Sequence, residues 1–226
     1  MSLVASENAD SGKDREPIPA SMYQAVCSQV WDMGTQTAPF TDKKTGMPVM
    51  AHKVRLVWEL PSAERIEYTT EDGEDVSLVR HMGREFTLSL HPKSHLRPFL
   101  EGWRGKEFTG QELFGFNIGK LIGANCTLQV IHKISEKYGK YAAIGAIVPL
   151  MDGMQKIIPE NPTVMYEIEQ PIPDDCPDWL REKIMASEEK KESTDLADTV
   201  IAGVDVDSIP EYNGAPFQAE DADIPF

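Results

Sequence analysis

The stretch Lys53-Val54-Arg55-Leu56-Val57-Trp58-Glu59-Leu60 decides the fold class of this chain of 226 residues. Side chains along a β-strand point alternately to its two faces. Here the apolar side chains at positions 54, 56, 58 and 60 share one face, and charged Lys53, Arg55 and Glu59 share the other. The alternation predicts a strand that buries its apolar face in a core.

A first strand is predicted ahead of this stretch. Residues 22–37 are rich in strand-forming side chains. Strict alternation places Val26 and Val30 on one face of that strand and Trp31 on the other. Residues 38–50, between the two strands, contain Pro, Gly and Asp at short intervals and predict a loop.

The segments after Leu60 predict a hairpin, a strand and a helix. Residues 65–80 form the hairpin, because Glu71-Asp72-Gly73-Glu74 supplies turn chemistry between two β-prone segments. Residues 84–90 alternate again, with Phe86, Leu88 and Leu90 facing inward. The period then changes, and helical spacing relates the apolar residues Leu96, Phe99, Leu100 and Trp103.

Two more strands and two short helices complete the pattern. Thr109-Gly110-Gln111-Glu112 fits a capping box at the start of a short helix. Strand character returns at residues 126–134 and 141–150, joined by a loop over 135–140. Pro177 suits the first position of a helix over 178–186.

Strands, then a helix, then two more strands is the element order of an oligonucleotide/oligosaccharide-binding (OB) barrel, although several all-β barrels share it. We therefore expect a mainly β fold: an OB-fold-like five-stranded barrel with a helix between strands 3 and 4. A short C-terminal helix and a disordered acidic tail follow. The expected domains are a disordered arm over residues 1–17, the barrel domain with its C-terminal extension over 18–186, and the tail over 187–226.

Most of the acidic excess lies outside residues 18–156. The whole chain carries a formal charge of −15. Residues 18–156 hold 16 Lys and Arg against 15 Asp and Glu, whereas residues 186–226 hold 2 against 11. A near-neutral domain with local basic patches is compatible with a nucleic-acid partner, which requires Lys and Arg against its phosphates.

Two predicted loops combine aromatic side chains with lysines. Sequence-tolerant binding of single strands needs positive charge for the phosphates and flat rings on which bases stack. In an OB barrel the ligand crosses strands 2 and 3 between the first-to-second and fourth-to-fifth loops. A lysine-rich hairpin tip taken alone is more often a solvated turn. The candidate single-stranded DNA-binding residues are Trp31, Phe40, Lys43, Lys44, Lys53, Arg55, Arg84, Lys137, Tyr138 and Lys140.

Nothing in the sequence builds a catalytic or metal centre. Cys27, Cys126 and Cys176 are odd in number and widely spaced, which argues against a disulfide framework or a structural zinc site. His91 and His95 lie four residues apart without a Glu or Cys partner, which favours a surface role. We expect no enzymatic activity, no cofactor, no metal and no membrane association, and a cytoplasmic location.

The last six residues resemble the C-terminal tip of bacterial single-stranded DNA-binding proteins, in which an acidic run ends in Ile-Pro-Phe. The matching residues are Asp221, Asp223, Ile224, Pro225 and Phe226. This chain departs from the pattern by having Ala222 within a sparser acidic run. The resemblance implies a partner-binding tip whose apolar end enters a basic, hydrophobic pocket of a replication or recombination protein.

Residues 17–179 are similar to a family of tailed-phage single-stranded DNA-binding proteins of the OB type. The similar segments are Tyr23-Gln24-Ala25-Val26-Cys27, the stretch from Lys53 to Leu60, Phe86-Thr87-Leu88-Ser89-Leu90-His91, Leu100-Glu101-Gly102-Trp103-Arg104-Gly105 and Leu121-Ile122-Gly123-Ala124. The resemblance implies a phage replication or recombination protein that coats single-stranded DNA in the host cytoplasm. It transfers no DNA-contacting residue, and it leaves the oligomeric state and the choice between DNA and RNA open.

A second hypothesis remains beside this one. The chain would be an acidic adaptor, or an inhibitor that mimics DNA, bound to a nuclease or polymerase. The near-neutral charge of residues 18–156 counts against it, because a DNA mimic carries negative charge on its folded surface.

Overall fold

A computed structural model describes residues 16–136 and 139–191, without the side chains of residues 39 and 40. These residues belong to one compact unit. They contain eight strands: β1 (Ser21–Thr41), β2 (Pro48–Leu60), β3 (Ile66–Thr69), β4 (Asp75–Leu78), β5 (Arg80–Thr87), β6 (Asn125–Ser135), β7 (Gly139–Pro149) and β8 (Val164–Tyr166). They also contain helices α1 (Leu96–Arg104) and α2 (Asp178–Met185) and the short 3-10 helices Glu112–Phe114 and Ile118–Leu121.

The predicted mainly β fold is confirmed. The main sheet has the order β5-β2-β1-β6-β7, and all of its neighbours along this path are antiparallel. β8 adds to β1 in parallel. The two ends of the path, β5 and β7, contact each other. β3 and β4 form a separate hairpin around Gly73, whose φ of 81° suits glycine, and this confirms the predicted turn.

The main core lies between the inner face of this sheet and α1. The four predicted inward residues of β2 are all buried there, and so are the four apolar residues of the predicted helix. Trp58 packs against Phe99 and Trp103 with ring centroids 5.7 and 5.5 Å apart. The strand and helix periods of the sequence therefore identified this core correctly.

A register shift in β1 overturns the predicted alternation of that strand. The pairing with β2 slips between Cys27 and Gln29. Before the slip Val26 lies opposite Glu59, and after it Val30 lies opposite Leu56, on the core side. Val26 and Val30 therefore lie on opposite faces, because the extra residue of a β-bulge reverses the facing of everything that follows it.

The outer face of β1 and β2 is covered by residues 164–186, which we term the C-terminal cover. Trp31, Met33 and Val57 form a second buried cluster with side chains of β8, α2 and the segment between them. The Trp31 and Tyr166 rings lie 5.7 Å apart. The sequence predicted α2 but neither β8 nor this second layer.

Three further boundaries differ from the predictions. Residues 38–50 are not an open loop, because β1 and β2 continue through them and leave only a tight turn over 42–47. β5 starts at Arg80 and ends at Thr87, so Leu88 lies outside it and is exposed. Residues 187–191, assigned to the tail, contact the domain: Ser187 is buried, and the Glu189 carboxylate accepts hydrogen bonds from Thr35. The rest of the tail, residues 192–226, lies outside the described residues.

Glu59, predicted to face solvent, is fully buried. Its carboxylate accepts hydrogen bonds from the backbone N–H groups of Glu160 and Asn161, at 2.6 and 3.2 Å, and from Asn161 Nδ2 at 3.0 Å. These donors belong to the segment that leads into β8. A buried carboxylate is tolerated only with such partners, so Glu59 fixes the entry of the C-terminal cover.

We expect Glu59→Ala to destabilise the protein by about 2–4 kcal/mol, because it removes the buried carboxylate that accepts all three hydrogen bonds from Glu160 and Asn161. Glu59→Gln keeps one acceptor oxygen and should cost less. Urea unfolding followed by circular dichroism measures both variants. Glu64→Ala is the matched control, since Glu64 lies nearby in the sequence and is exposed. Equal stabilities for Glu59→Ala and Glu64→Ala would contradict the anchoring role.

Candidate nucleic-acid interface

The long hairpin of β1 and β2 presents two of the predicted lysines. Over residues 37–50, which we term the arm, the two strands pair only with each other. At its tip the Asp42 carboxylate accepts hydrogen bonds from the backbone N–H groups of Lys44 and Thr45, at 2.7 and 2.9 Å, and these bonds lower the pKa of Asp42. Lys43 and Lys44 are exposed, and neither forms an ion pair within the described part of the chain. Their charges are available to a polyanion.

Lys53 lies farther along β2, at the edge of a second basic feature. Its Nζ donates to Thr87 Oγ1 at 2.8 Å. The two residues line a cleft of about 650 Å³ that also contains His91, Lys93 and His95, which we term the basic cleft. Its one lining acid, Glu85, is held by Lys183 at 2.7 Å and Arg55 at 3.6 Å. Among the described residues that line the cleft, no carboxylate is therefore left to neutralise Lys53 and Lys93.

Trp31 and Arg55 lie beneath the C-terminal cover. Trp31 is 2% exposed and belongs to the second buried cluster, so its ring offers no face to a base. The Arg55 guanidinium lies 4.6 Å from the ring centroid of Trp179 and also over Gly83, where an added Cβ would come within 2.3 Å of Nη2. Burial lowers the pKa of Arg55, and the charge of Glu85 opposes that shift. Arg55 is thus committed to the packing of the cover.

Arg84 does not share a face with Lys53 and Arg55. It pairs with Leu56 across the core side of the sheet, and its guanidinium lies 5.1 Å from the Phe86 ring and 5.2 Å from the Phe99 ring. Such cation–π contacts hold the side chain at the rim of the core. Arg84 therefore does not extend the predicted path across the outer face.

Lys140 lies at the opposite end of the main sheet from the basic cleft. It is exposed and lines a separate cleft of about 590 Å³ with Arg80 and His81. Arg80 pairs with Leu60, seven residues along β2 from Lys53, which corresponds to about 23 Å of strand. Lys137 and Tyr138, like the Phe40 side chain and the tip from Asp221 to Phe226, lie outside the described residues.

The sequence patterns did not predict an exposed aromatic residue in the segment that follows α1. Phe114, in the first 3-10 helix, is 95% exposed. It follows the capping box directly, between Leu113 and Gly115. The adjacent apolar pair Leu113-Phe114 is a partial signal, because neighbouring side chains of a 3-10 turn point about 120° apart, but it does not indicate which of the two is exposed. His91 and His95 were interpreted only as surface residues, without the cleft that they share with Lys53.

The capping box that supports Phe114 is formed as predicted. Glu112 Oε2 accepts from the Thr109 backbone N–H at 2.8 Å, while Thr109 Oγ1 accepts from the Glu112 N–H at 3.4 Å. Arg104 donates to the other oxygen of Glu112. The hydrogen bond from the Thr109 backbone, followed by that from Arg104, lowers the pKa of Glu112 to about 2.

The ionised form of Glu112 should stabilise the fold in a pH-dependent way. Because its pKa is lower in the folded protein than in the unfolded chain, the stabilisation is complete above pH of about 4.5 and is lost as the pH falls towards 2. We therefore expect Glu112→Gln to lower the melting temperature at pH 7, with a difference from the wild type that shrinks between pH 4.5 and 2.5. Glu107→Gln, an exposed neighbour, is the control and should differ little at any pH. A difference that stays constant with pH would contradict this assignment.

Comparison of the chain with models of known protein families, with curated proteins and with solved structures finds no match. Within the described ranges, no group of three or more His, Cys, Asp or Glu side chains is placed to hold a metal ion. No helix among those same residues has the length and apolar character needed to cross a membrane.

Proposed function

We propose that this chain is a single-stranded DNA-binding protein of the OB type. The observation that carries the proposal is the strand order β5-β2-β1-β6-β7 with α1 between β5 and β6. Under this proposal β1, β2, β5, β6 and β7 are the five strands of a partly open barrel, and α1 is the helix between the third and fourth. The β3–β4 hairpin is an insertion, and the C-terminal cover is an addition.

The distribution of charge supports a polyanionic ligand on one part of the surface. Lys43 and Lys44 on the arm and Lys53 and Lys93 at the basic cleft are cationic. Each lysine that replaces a counterion of a phosphate favours binding at low salt. The net charge of the whole chain does not oppose this, because most of its acidic excess lies after residue 156.

The C-terminal cover restricts the path that DNA takes. In OB barrels the ligand typically crosses strands 2 and 3, which correspond here to β2 and β5. Arg55 and Val57, at the centre of that surface, are packed against α2 and its neighbours. We therefore place the DNA on the arm and on the basic cleft, at the end of the sheet that the cover leaves open.

Neutralising the arm lysines should weaken binding, and neutralising Arg55 should not. We expect Lys43→Gln/Lys44→Gln to bind an unstructured oligothymidylate more weakly, with a log–log salt slope smaller by about 1.4, since each phosphate contact on a single strand contributes about 0.7. Arg55→Gln should retain the wild-type slope, because Trp179 and Glu85 occupy its guanidinium. Fluorescence anisotropy across a salt series, with DNA and RNA oligonucleotides in parallel, measures both.

The outcomes separate the parts of this proposal. Absence of binding by the wild type at low salt would refute DNA binding. An equal loss of salt slope in Arg55→Gln and in the arm variant would show instead that the cover opens and that DNA uses the outer face of β2. The melting temperature of each variant serves as the control for folding.

The resemblance of residues 221–226 to a partner-binding tip supports a second role, the recruitment of replication or recombination proteins. We expect Phe226→Ala to abolish the pull-down of such proteins from host extract, because the apolar anchor is lost. Its affinity for oligothymidylate should be unchanged or higher. Ala222→Ser is the matched control within the same tip. Retained capture of the same proteins by Phe226→Ala would refute the recruiting role.

A further inference from the structure

Phe114 is an aromatic side chain held out in solvent by a well-ordered support. Its neighbours Leu113 and Phe116 pack against the main core, while Phe114 itself is 95% exposed. The Thr109–Glu112 capping box and the Arg104–Glu112 ion pair fix the turn from one side. Phe116 is fixed from the other, with its ring 5.2 Å from that of Phe108. The exposure of Phe114 is therefore a property of a fixed turn.

The surroundings of Phe114 join an apolar surface to a cationic one. Phe114 lines a small depression of about 180 Å³ together with Leu88, Leu90 and Phe116. Ser89 lines both this depression and the basic cleft, so the two adjoin at this residue. An aromatic ring thus stands beside a cleft that holds Lys53 and Lys93.

We propose that Phe114 is a base-stacking residue and that Lys53 and Lys93 bind the phosphates of the same strand. This inference rests on the proposed function and adds to it the site that the covered face of β2 cannot provide. Single-strand sites combine a cationic groove with aromatic rings, because every base has a face that can stack. Phe114 supplies the ring, and its fixed turn reduces the entropy that is lost when a base is bound.

The charge of the surface selects nucleic acid over an apolar peptide as the occupant. An uncharged apolar peptide would use Leu88, Leu90 and Phe114 alone and would gain nothing from Lys53 and Lys93. A single strand uses both parts, since its bases and phosphates alternate along one chain. Glu85, the one acid among the described residues that line the basic cleft, is held by Lys183 and Arg55 and does not cancel the lysine charges.

The test compares Phe114→Ala and Phe114→Trp with the wild type, using labelled oligothymidylate. We expect Phe114→Ala to weaken binding by about 5- to 100-fold, the loss of one stacked base, with an unchanged salt slope because no phosphate contact is removed. Lys93→Gln should instead reduce the salt slope by about 0.7. Phe114→Trp should restore the affinity, and its added indole fluorescence should be quenched by the oligonucleotide.

Tyr68→Ala is the matched control, because Tyr68 is an exposed aromatic residue on the separate β3–β4 hairpin. It should bind as the wild type does. Wild-type affinity of Phe114→Ala, with a wild-type protein that binds the oligonucleotide, would overturn this inference and leave the proposed function intact. Failure of the wild type itself to bind would overturn the proposed function.

Discussion

The burial of β2 on both faces is the constraint on which the rest of the structure depends. Its inner face carries Leu56 and Trp58 into the main core, and its outer face carries Val57 and Glu59 into a second buried layer. An antiparallel sheet commonly leaves one face in water. Here the outer face includes the apolar side chains of Trp31 and Met33, so it requires a cover, and residues 164–186 supply one. Glu59 fixes where that cover begins, because its carboxylate accepts hydrogen bonds from the backbone N–H groups of Glu160 and Asn161.

Under the proposed function, this constraint also limits where DNA can bind. The cover occupies the middle of the β1–β2 surface and leaves the arm and the end of β5 open. Four lysines that form no ion pair with the residues the structure describes lie at that end: Lys43 and Lys44 on the arm, and Lys53 and Lys93 at the basic cleft. A binding surface assembled from a hairpin tip and a strand end needs a rigid scaffold beneath it, and the doubly buried β2 provides that scaffold.

The sequence predicted correctly the elements whose apolar residues recur with a clear strand or helix period. The prediction of which residues face the core failed in β1, where one extra residue shifts the register. The inward positions of β2 and the apolar stripe of α1 followed from spacing alone, because packing on one face imposes that spacing. The bulge in β1 reversed Trp31 relative to Val26, and no local pattern marks such a slip. β8 is only three residues long, and its extended conformation depends on the parallel pairing with β1. Its own sequence therefore shows no alternation long enough to predict a strand.

The candidate site was predicted less well for a related reason. Local sequence patterns predicted the accessibility of three lysines on one hairpin, which are exposed or partly exposed: Lys43, Lys44 and Lys53. Arg55 shares the alternation of Lys53 on β2, yet only the distant residue Trp179 decides that it is covered. Phe114 was overlooked because its exposure depends on how Leu113 and Phe116 pack, and this is a tertiary property.

Acidic residues set a limit to the proposed site. The depression beside Phe114 continues past Leu88, Phe116 and Ile118 into a pocket of about 320 Å³ lined by Asp32, Glu167 and Glu169. A phosphate backbone is attracted by Lys53 and Lys93 on one side of Phe114 and repelled by these carboxylates on the other. Under the proposed function, a strand stacked on Phe114 therefore leaves towards the basic cleft and the arm. Under the same proposal these acids keep the strand away from β8, and the cover would both block the outer face of β2 and direct the DNA to the open end of the sheet.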